Sequence, residues 1–213
     1  LGGGSFGTVL ANIAASNGYK VSLWVRDSEQ ALRINSEGAN SSYHPELQLS
    51  PNILASEKLE DVMESSSVVF IATPSVIFET IMERIKPMIE EGSHIISCTK
   101  GIKLNPFRSM SDIISMNIDS KKNHVGVLSG PNLAREIAEN KIAGTVIASS
   151  SNELIRDVKS TLSSDTFKVY SSNDLQGVEL AGALKNIYAI ICGMADSLNV
   201  GENAVGLILT RSM

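Results

Sequence analysis

The chain has 213 residues, with 18 basic against 23 acidic side chains and a formal net charge of −5 at pH 7. This length suits one large or two small domains and buries enough surface that no metal or disulfide staple is needed. At 43% hydrophobic and 19% charged residues, the composition excludes a disordered or fibrous chain, and the acidic balance excludes a bulk positive field for nucleic acid or anionic lipid.

The chain opens on a glycine turn, Leu1-Gly2-Gly3-Gly4-Ser5-Phe6-Gly7, with no strand before it. An alanine-rich helix is expected from Thr8 to Ser16, ended by Asn17-Gly18, a C-cap signal. Lys20–Val25 alternates as a strand does, and Ser28–Ser36 reads as a polar helix capped by Ser28. Residues 37–52, with Gly38, Asn40, Pro45 and Pro51, read as loop. Ser67–Ala72 is a continuous apolar run of the kind buried on both faces of a parallel sheet, followed by a helix over Ser75–Ile85. Met110 and Met116 are expected to pack a helix. Further strands are expected at His94–Cys98, Val125–Leu128, Gly144–Ala148 and Phe167–Tyr170, with helices over 131–140 and 152–162 between them. Strands alternating with helices mean βαβ units and a largely parallel sheet covered on both faces. From Asp174 the pattern becomes helical, over 174–198 and 201–212, which marks a domain boundary between 173 and 174. The last residues stop inside an apolar pattern, so the chain reads as a piece of a longer protein, and the reading does not extend to any targeting signal. Its uninterrupted apolar runs fall short of the roughly 20 residues that span a bilayer.

Gly2, Gly4 and Gly7 form G-x-G-x-x-G at the start of a helix, a pattern in which glycines make a tight turn, admit a pyrophosphate and let helix and strand pack closely. Dinucleotide binding is the reading favoured over a purely structural turn. Arg26 and Asp27 lie roughly twenty residues on, where an acid grips a ribose 2′-hydroxyl and an arginine accommodates a 2′-phosphate. Arg26 lies closer to the strand end and tilts the reading toward NADP, with NAD the alternative. Lys185 and Asn186 interrupt a helix that is otherwise apolar on nearly every face. Such a helix is expected to be buried, and a desolvated lysine is suited to proton transfer; snorkelling or pairing with Glu179 is the competing account. Lys100 and Ser129-Gly130-Pro131-Asn132 each follow a strand, at the sheet edge where open α/β sheets bind ligands. Tyr188 reads as a core aromatic. Cys98 and Cys192 read as free thiols of a reducing compartment. His44, His94 and His124 lack metal-ligand spacing, so no metal is expected.

The opening turn, Leu23-Trp24-Val25-Arg26-Asp27, Cys98-Thr99-Lys100-Gly101, Leu128-Ser129-Gly130-Pro131, the block Gly177–Asn186 and the tail Gly201-Glu202-Asn203-Ala204 through Leu209-Thr210-Arg211 together resemble the bacterial-type NAD(P)-dependent glycerol-3-phosphate dehydrogenases. The resemblance implies an α/β fold: a Rossmann-type doubly wound, mostly parallel sheet over residues 1–173, followed by the start of an all-helical catalytic domain. It implies an oxidoreductase that passes hydride from NAD(P)H to dihydroxyacetone phosphate, giving sn-glycerol 3-phosphate for glycerophospholipid synthesis in the cytoplasm. Cofactor contacts are carried onto Gly2, Gly4, Ser5, Phe6, Gly7, Arg26, Lys100 and Ala134, substrate contacts onto Lys100, Gly130, Asn132, Lys185 and Asn186, and the acid/base role onto Lys185. Asn132 departs from the family's more usual serine or threonine. The family's substrate-phosphate motif falls beyond Met213, so the chain by itself is expected to be inactive. No nucleic-acid partner is expected, and a homodimer is one assembly left open. A related 3-hydroxyacid dehydrogenase, a ketopantoate-type reductase and a non-catalytic NADP-binding sensor are the rival readings.

Overall fold

A computed structural model of the chain describes residues 1–212. In chain order its elements are α1 (Ser5–Ser16), β1 (Val21–Trp24), α2 (Ser28–Glu37), β2 (Ala39–Asn40), β3 (His44–Gln48), β4 (Ile53–Ser56), α3 (Leu59–Met63), β5 (Val68–Ile71), α4 (Ser75–Ile85), β6 (His94–Ser97), β7 (Ile102–Lys103), β8 (Arg108–Ser109), α5 (Met110–Asn117), β9 (His124–Ser129), α6 (Ala134–Ala138), β10 (Ala143–Ala148), α7 (Asn152–Leu162), β11 (Phe167–Ser172), α8 (Leu175–Ser197) and α9 (Glu202–Ser212).

Five strands form a sheet in the order β11-β10-β9-β6-β5, and β1 pairs with β4 beside it. All pairings are parallel except β9 with β10, so the sheet is mixed at one side. Two residues join the strand groups. Leu1 donates to Phe70 O at 2.5 Å and accepts from Ala72 N at 2.8 Å, while Gly2 N donates to Trp24 O at 3.0 Å. This short extended segment lies between β1 and β5 and makes one sheet in the order β4-β1-(1–2)-β5-β6-β9-β10-β11. Strand order reverses at that segment, which is where a doubly wound sheet opens a ligand crevice.

Sequence dictates the layering. Central β6 reads His-Ile-Ile-Ser and is buried throughout, as a strand covered on both faces requires. One face packs Phe78, Met82, Ile85, Met110 and Ile114 from α4 and α5. The other packs Val9, Leu10, Leu154, Val158 and Leu162 from α1 and α7. Helix α1 ends as its sequence predicts, with Asn17 at the C-cap and Gly18 at φ 93°.

Several expectations are corrected. The loop expected over 37–52 contains the antiparallel pair β2–β3, and β4 and α3 occupy residues too short in pattern to announce themselves. Asp27, not Ser28, caps α2, its side chain accepting from Glu29 N at 3.0 Å. Met110 is buried but Met116 points outward, and Tyr188 lies on the exposed side of α8 rather than in the core. The largest departure is α8 itself. It is 23 residues long with a hydropathy of 1.3, enough by length and composition to cross a bilayer, yet only 17% of that stretch is buried. Its uniform apolarity does not translate into burial on every face: Ile187, Ile190 and Met194 are exposed.

What seats α8 is a polar contact. Buried Glu179 accepts Ser111 N at 2.9 Å and the Ser111 hydroxyl, at the start of α5. One turn on, a Cβ at Gly182 would lie 2.2 Å from Ser129 Oγ, so any larger residue there has to turn that hydroxyl aside for α8 to approach β9 this closely. Replacing Glu179 with Ala strands two buried donors, and we expect a loss of about 2–3 kcal/mol in urea unfolding. The glycine turn makes a similar demand: a Cβ on Gly7 would meet Gly2 O at 1.9 Å, whereas one on Gly4 meets nothing within 4 Å. Gly7→Ala is expected to cost about 3 kcal/mol and Gly4→Ala under about 1 kcal/mol, read from denaturant midpoints at unchanged m-value.

Candidate cofactor and substrate site

At the carboxyl edge of the strands lies a cleft of about 670 Å³, walled by Gly2, Gly4, Phe6, Arg26, Thr73, Lys100 and Asn132 among others. Its floor is the glycine turn, whose conformation is held from outside. Gly3 O accepts from Gln30 Nε2 at 2.7 Å and from Asn40 Nδ2 at 3.0 Å, and Asn40 Nδ2 also donates to Thr8 Oγ1 at 2.8 Å. Thr8 Oγ1 in turn donates to Gly4 O at 2.7 Å. Gly4 is the N-cap of α1 and offers no side-chain cap, so the first amides of that helix are left for an incoming acceptor. Ser5 and Phe6 begin the helix. His44 Nε2 approaches Ser5 O at 2.9 Å and Ser5 Oγ at 3.0 Å; facing a carbonyl, it must be the donor.

Of the two candidate charges after β1, Asp27 spends its carboxylate capping α2, while Arg26 is exposed beside the cleft. Arg33 of α2 also lines it, paired only loosely with Glu29 at 3.9 Å.

The far wall carries the second group of residues. Thr99 Oγ1 donates to Thr73 O at 2.7 Å, tying together the chain segments that follow β6 and β5. The next residue, Lys100, donates from Nζ to Gly130 O at 3.1 Å. Its ammonium also faces that of Lys185, and burial first, then the Lys185 charge, pushes the Lys100 pKa down from 10.5 to about 8. Asn132 Nδ2 donates to Thr145 Oγ1 at 2.9 Å, which itself donates to Ser129 O at 3.2 Å. That leaves Asn132 Oδ1 buried without a partner, and Thr73 Oγ1 is in the same condition. Such orphans cost free energy unless a bound molecule or water satisfies them. Cys98 sits in the wall as a buried thiol, pushed up to about 12 by desolvation. Both cysteines are free.

The structure therefore brings Gly2, Gly4, Phe6, Arg26, Lys100 and Asn132 to one cleft, with Gly7 packed beneath it and Lys185 and Gly130 beside Lys100. Lys185 does not pair with Glu179, which is taken by Ser111. Ser5 is not in the lining, its hydroxyl lying 3.0 Å from His44 Nε2, and two more of the expected residues stand further apart. Ala134, at the first position of α6, is partly buried against the core, and Asn186 is exposed on α8; neither lines the cleft. Gln30, Asn40, His44 and Thr73 are the residues that pattern reading passes over. They belong to no motif, and only the fold shows what they support.

A family model described as the NAD-dependent glycerol-3-phosphate dehydrogenase N-terminus matches residues 1–155, and its C-terminal counterpart matches 174–213. Among curated relatives, glycerol-3-phosphate dehydrogenase [NAD(P)+] of Alcanivorax borkumensis is 45% identical over the whole chain, which covers 62% of it, and that of Acinetobacter baylyi is 46% identical, with 59% of it covered. The chain thus spans about three fifths of the length of these relatives. Among solved structures, glycerol-3-phosphate dehydrogenase of Coxiella burnetii superposes with a TM-score of 0.89 at 33% identity, over 99% of this chain and 64% of that one. The Plasmodium falciparum enzyme gives 0.91 at 25%, over 99% and 62%. With its N-terminal model alone matching well over half of the residues, the chain belongs to the NAD-dependent glycerol-3-phosphate dehydrogenase family.

Proposed function

We propose that this chain forms the cofactor-binding part, and the acid/base lysine, of an sn-glycerol-3-phosphate dehydrogenase that reduces dihydroxyacetone phosphate in the cytoplasm to supply glycerophospholipid synthesis. The observation that carries the reading is the Lys100–Lys185 pair at the end of the glycine-floored cleft. Two ammonium groups held together, one also bonded to Gly130 O, form a receptor for a phosphorylated, oxygen-rich substrate. We take residues 1–173 as the nucleotide domain and the helices from 174 as the start of the catalytic one. The free cysteines agree with a reducing compartment.

The residues present suit a dinucleotide. Gly4 has no structural reason to lack a side chain, and its open side, beside the bare amides of α1, is where a pyrophosphate would need backbone approach. Gly2, Ser5, Phe6 and Arg26 would hold it there, and the buried unpartnered oxygens of Thr73 and Asn132 offer further contacts. We assign NADP as the preferred form, because Arg26 is free at the cleft while Asp27 is committed to its cap. The bound nicotinamide supplies the hydride. Lys185 gives a proton from its ammonium to the carbinol oxygen as negative charge develops there, and afterwards recovers one from solvent. Lys100 keeps its charge, orients the substrate and stabilises the same oxyanion. In the reverse direction Lys185 acts as the neutral amine and accepts the proton.

NADPH oxidation by the whole protein, with dihydroxyacetone phosphate, tests the assignment. Lys185→Ala is expected to lower kcat about 10²–10⁴-fold with NADPH binding retained, and Arg26→Ala to raise the KM for NADPH roughly tenfold while sparing NADH. Equal turnover by wild type and Lys185→Ala overturns the catalytic role. A second measurement reads Lys100. Its amine is charged below about 8 and loses the proton above, so the KM for dihydroxyacetone phosphate should be level up to that pH and climb beyond it. Lys100→Met should raise KM at neutral pH and flatten the climb; an unchanged climb in that variant assigns it to another group.

A further inference from the structure

At the opposite end of the sheet, the amino ends of β6 and β9 place His94 beside His124, although 30 residues separate them in sequence. The sequence spacing that argued against a metal site gives no hint of this, because adjacent strand starts bring together residues that no motif links. His94 is almost wholly buried, its side chain 4% exposed. Its Nε2 lies 3.1 Å from Asp157 Oδ2 on α7, and its Nδ1 lies 3.2 Å from His124 Nδ1. Glu153, one helical turn before Asp157, faces the same imidazole: one ligand atom each from His94, Glu153 and Asp157 fall within 4.8 Å of one another.

The buried imidazole thus has two carboxylates on one side, Glu153 exposed and Asp157 partly so. With the ring neutral, the tautomer that suits both neighbours has Nε2–H donating to Asp157 and Nδ1 accepting the Nδ1–H of His124. That single N–H satisfies Asp157. Glu153 then stands as a second carboxylate beside the same imidazole, exposed and four positions from Asp157 on one helix, where like charges repel. Among the described residues it has no hydrogen bond or ion pair of its own.

We infer that His94, Glu153 and Asp157 form a binding site for a divalent first-row transition ion such as Zn²⁺, with His124 positioning the imidazole. One imidazole nitrogen and two carboxylate oxygens match the ligand preferences of such ions, and three protein ligands leave a fourth position for water. Asp157 and Glu153 lie on an accessible helix face and can close from their present spacing onto an ion near 2 Å from each. The ring of His94 is already fixed from behind by His124, as metal-binding imidazoles require. Binding exchanges tautomers without changing the total charge of the two imidazoles. His94 releases the Nε2 proton and lends that lone pair to the ion, Nδ1 takes the proton of His124 Nδ1, and His124 takes one at its Nε2. The ion would fasten α7 to the start of β6, far from the cleft, so this site stands or falls independently of the reaction proposed above.

Titration of the whole protein with Zn²⁺, by calorimetry and by thermal unfolding, tests the inference, with the more open thiol of Cys192 blocked to remove cysteine binding. One equivalent should bind when protein and ion are both in the tens of micromolar, with a rise in Tm. Glu153→Gln and Asp157→Asn, both on the outer face of α7, should keep the fold and each weaken binding at least about tenfold. The ¹⁵N spectrum of the His94 ring should pass from an Nε2–H to an Nδ1–H tautomer at saturation. Absence of stoichiometric binding, affinity unchanged in both variants, or a loss confined to one of them overturns the three-ligand site.

Discussion

Two ammonium groups held face to face repel, and the fold has to supply the restraint that keeps Lys100 against Lys185. Lys100 is delivered by the end of β6, tied at Thr99 to Thr73 and at its own Nζ to Gly130. Lys185 is delivered by α8, which is seated on the sheet by Glu179 docking on Ser111, with Gly182 leaving room for the Ser129 hydroxyl. A buried carboxylate is an expensive anchor unless its oxygens are occupied. Here the backbone amide and the hydroxyl of one serine occupy both. The helix could slide along a purely apolar contact; a carboxylate seated on a helix start fixes its rotation and its height together, and with them the height of Lys185 one and a half turns on.

The cost of this arrangement is visible in Lys100. A group whose folded pKa lies below its unfolded one favours folding only in its neutral form, so the charged Lys100 ammonium, chiefly through its burial and then through the neighbouring Lys185, weighs against the fold below about 8 and is relieved as pH rises from there toward 10.5. The protein therefore holds two like charges together in the state in which an anion would use them. The same logic applies along the same wall of the cleft, where the buried oxygens of Thr73 and Asn132 wait without partners. Sites prepared in advance for a charged or polar ligand are strained in its absence, and that preparation is what lets binding energy go toward orientation.

Much of this was legible in residue order, and for a definable reason. The glycine turn announces itself because Gly2 and Gly7 touch each other's backbone within one short segment, a local demand that local spacing records. The buried strand β5 announces itself by an unbroken apolar run and β6 by a shorter one, and Lys185 by breaking one. What stayed hidden depends on segments distant in sequence. Asn40 and His44 brace the turn from a β2–β3 pair that looks like loop, because its Pro and Gly content obscures a short hairpin-like pairing. Glu179 resembles a partner for Lys185 until α5 is placed beside it. In α8, apolarity on every face suggested burial on every face, yet within the described residues the buried positions are few and include one acid.

The buried thiol of Cys98 has a practical consequence for handling the molecule. It lies in the cleft wall, a place where a cysteine would ordinarily be a target for alkylating drugs or peroxide. With its pKa near 12 it holds almost no thiolate at neutral pH, and thiolate is the reacting species. Thiol-directed inhibitors aimed at this cleft would find no usable sulfur there, whereas half-buried Cys192 on α8 is the sulfur more open to a reporter dye.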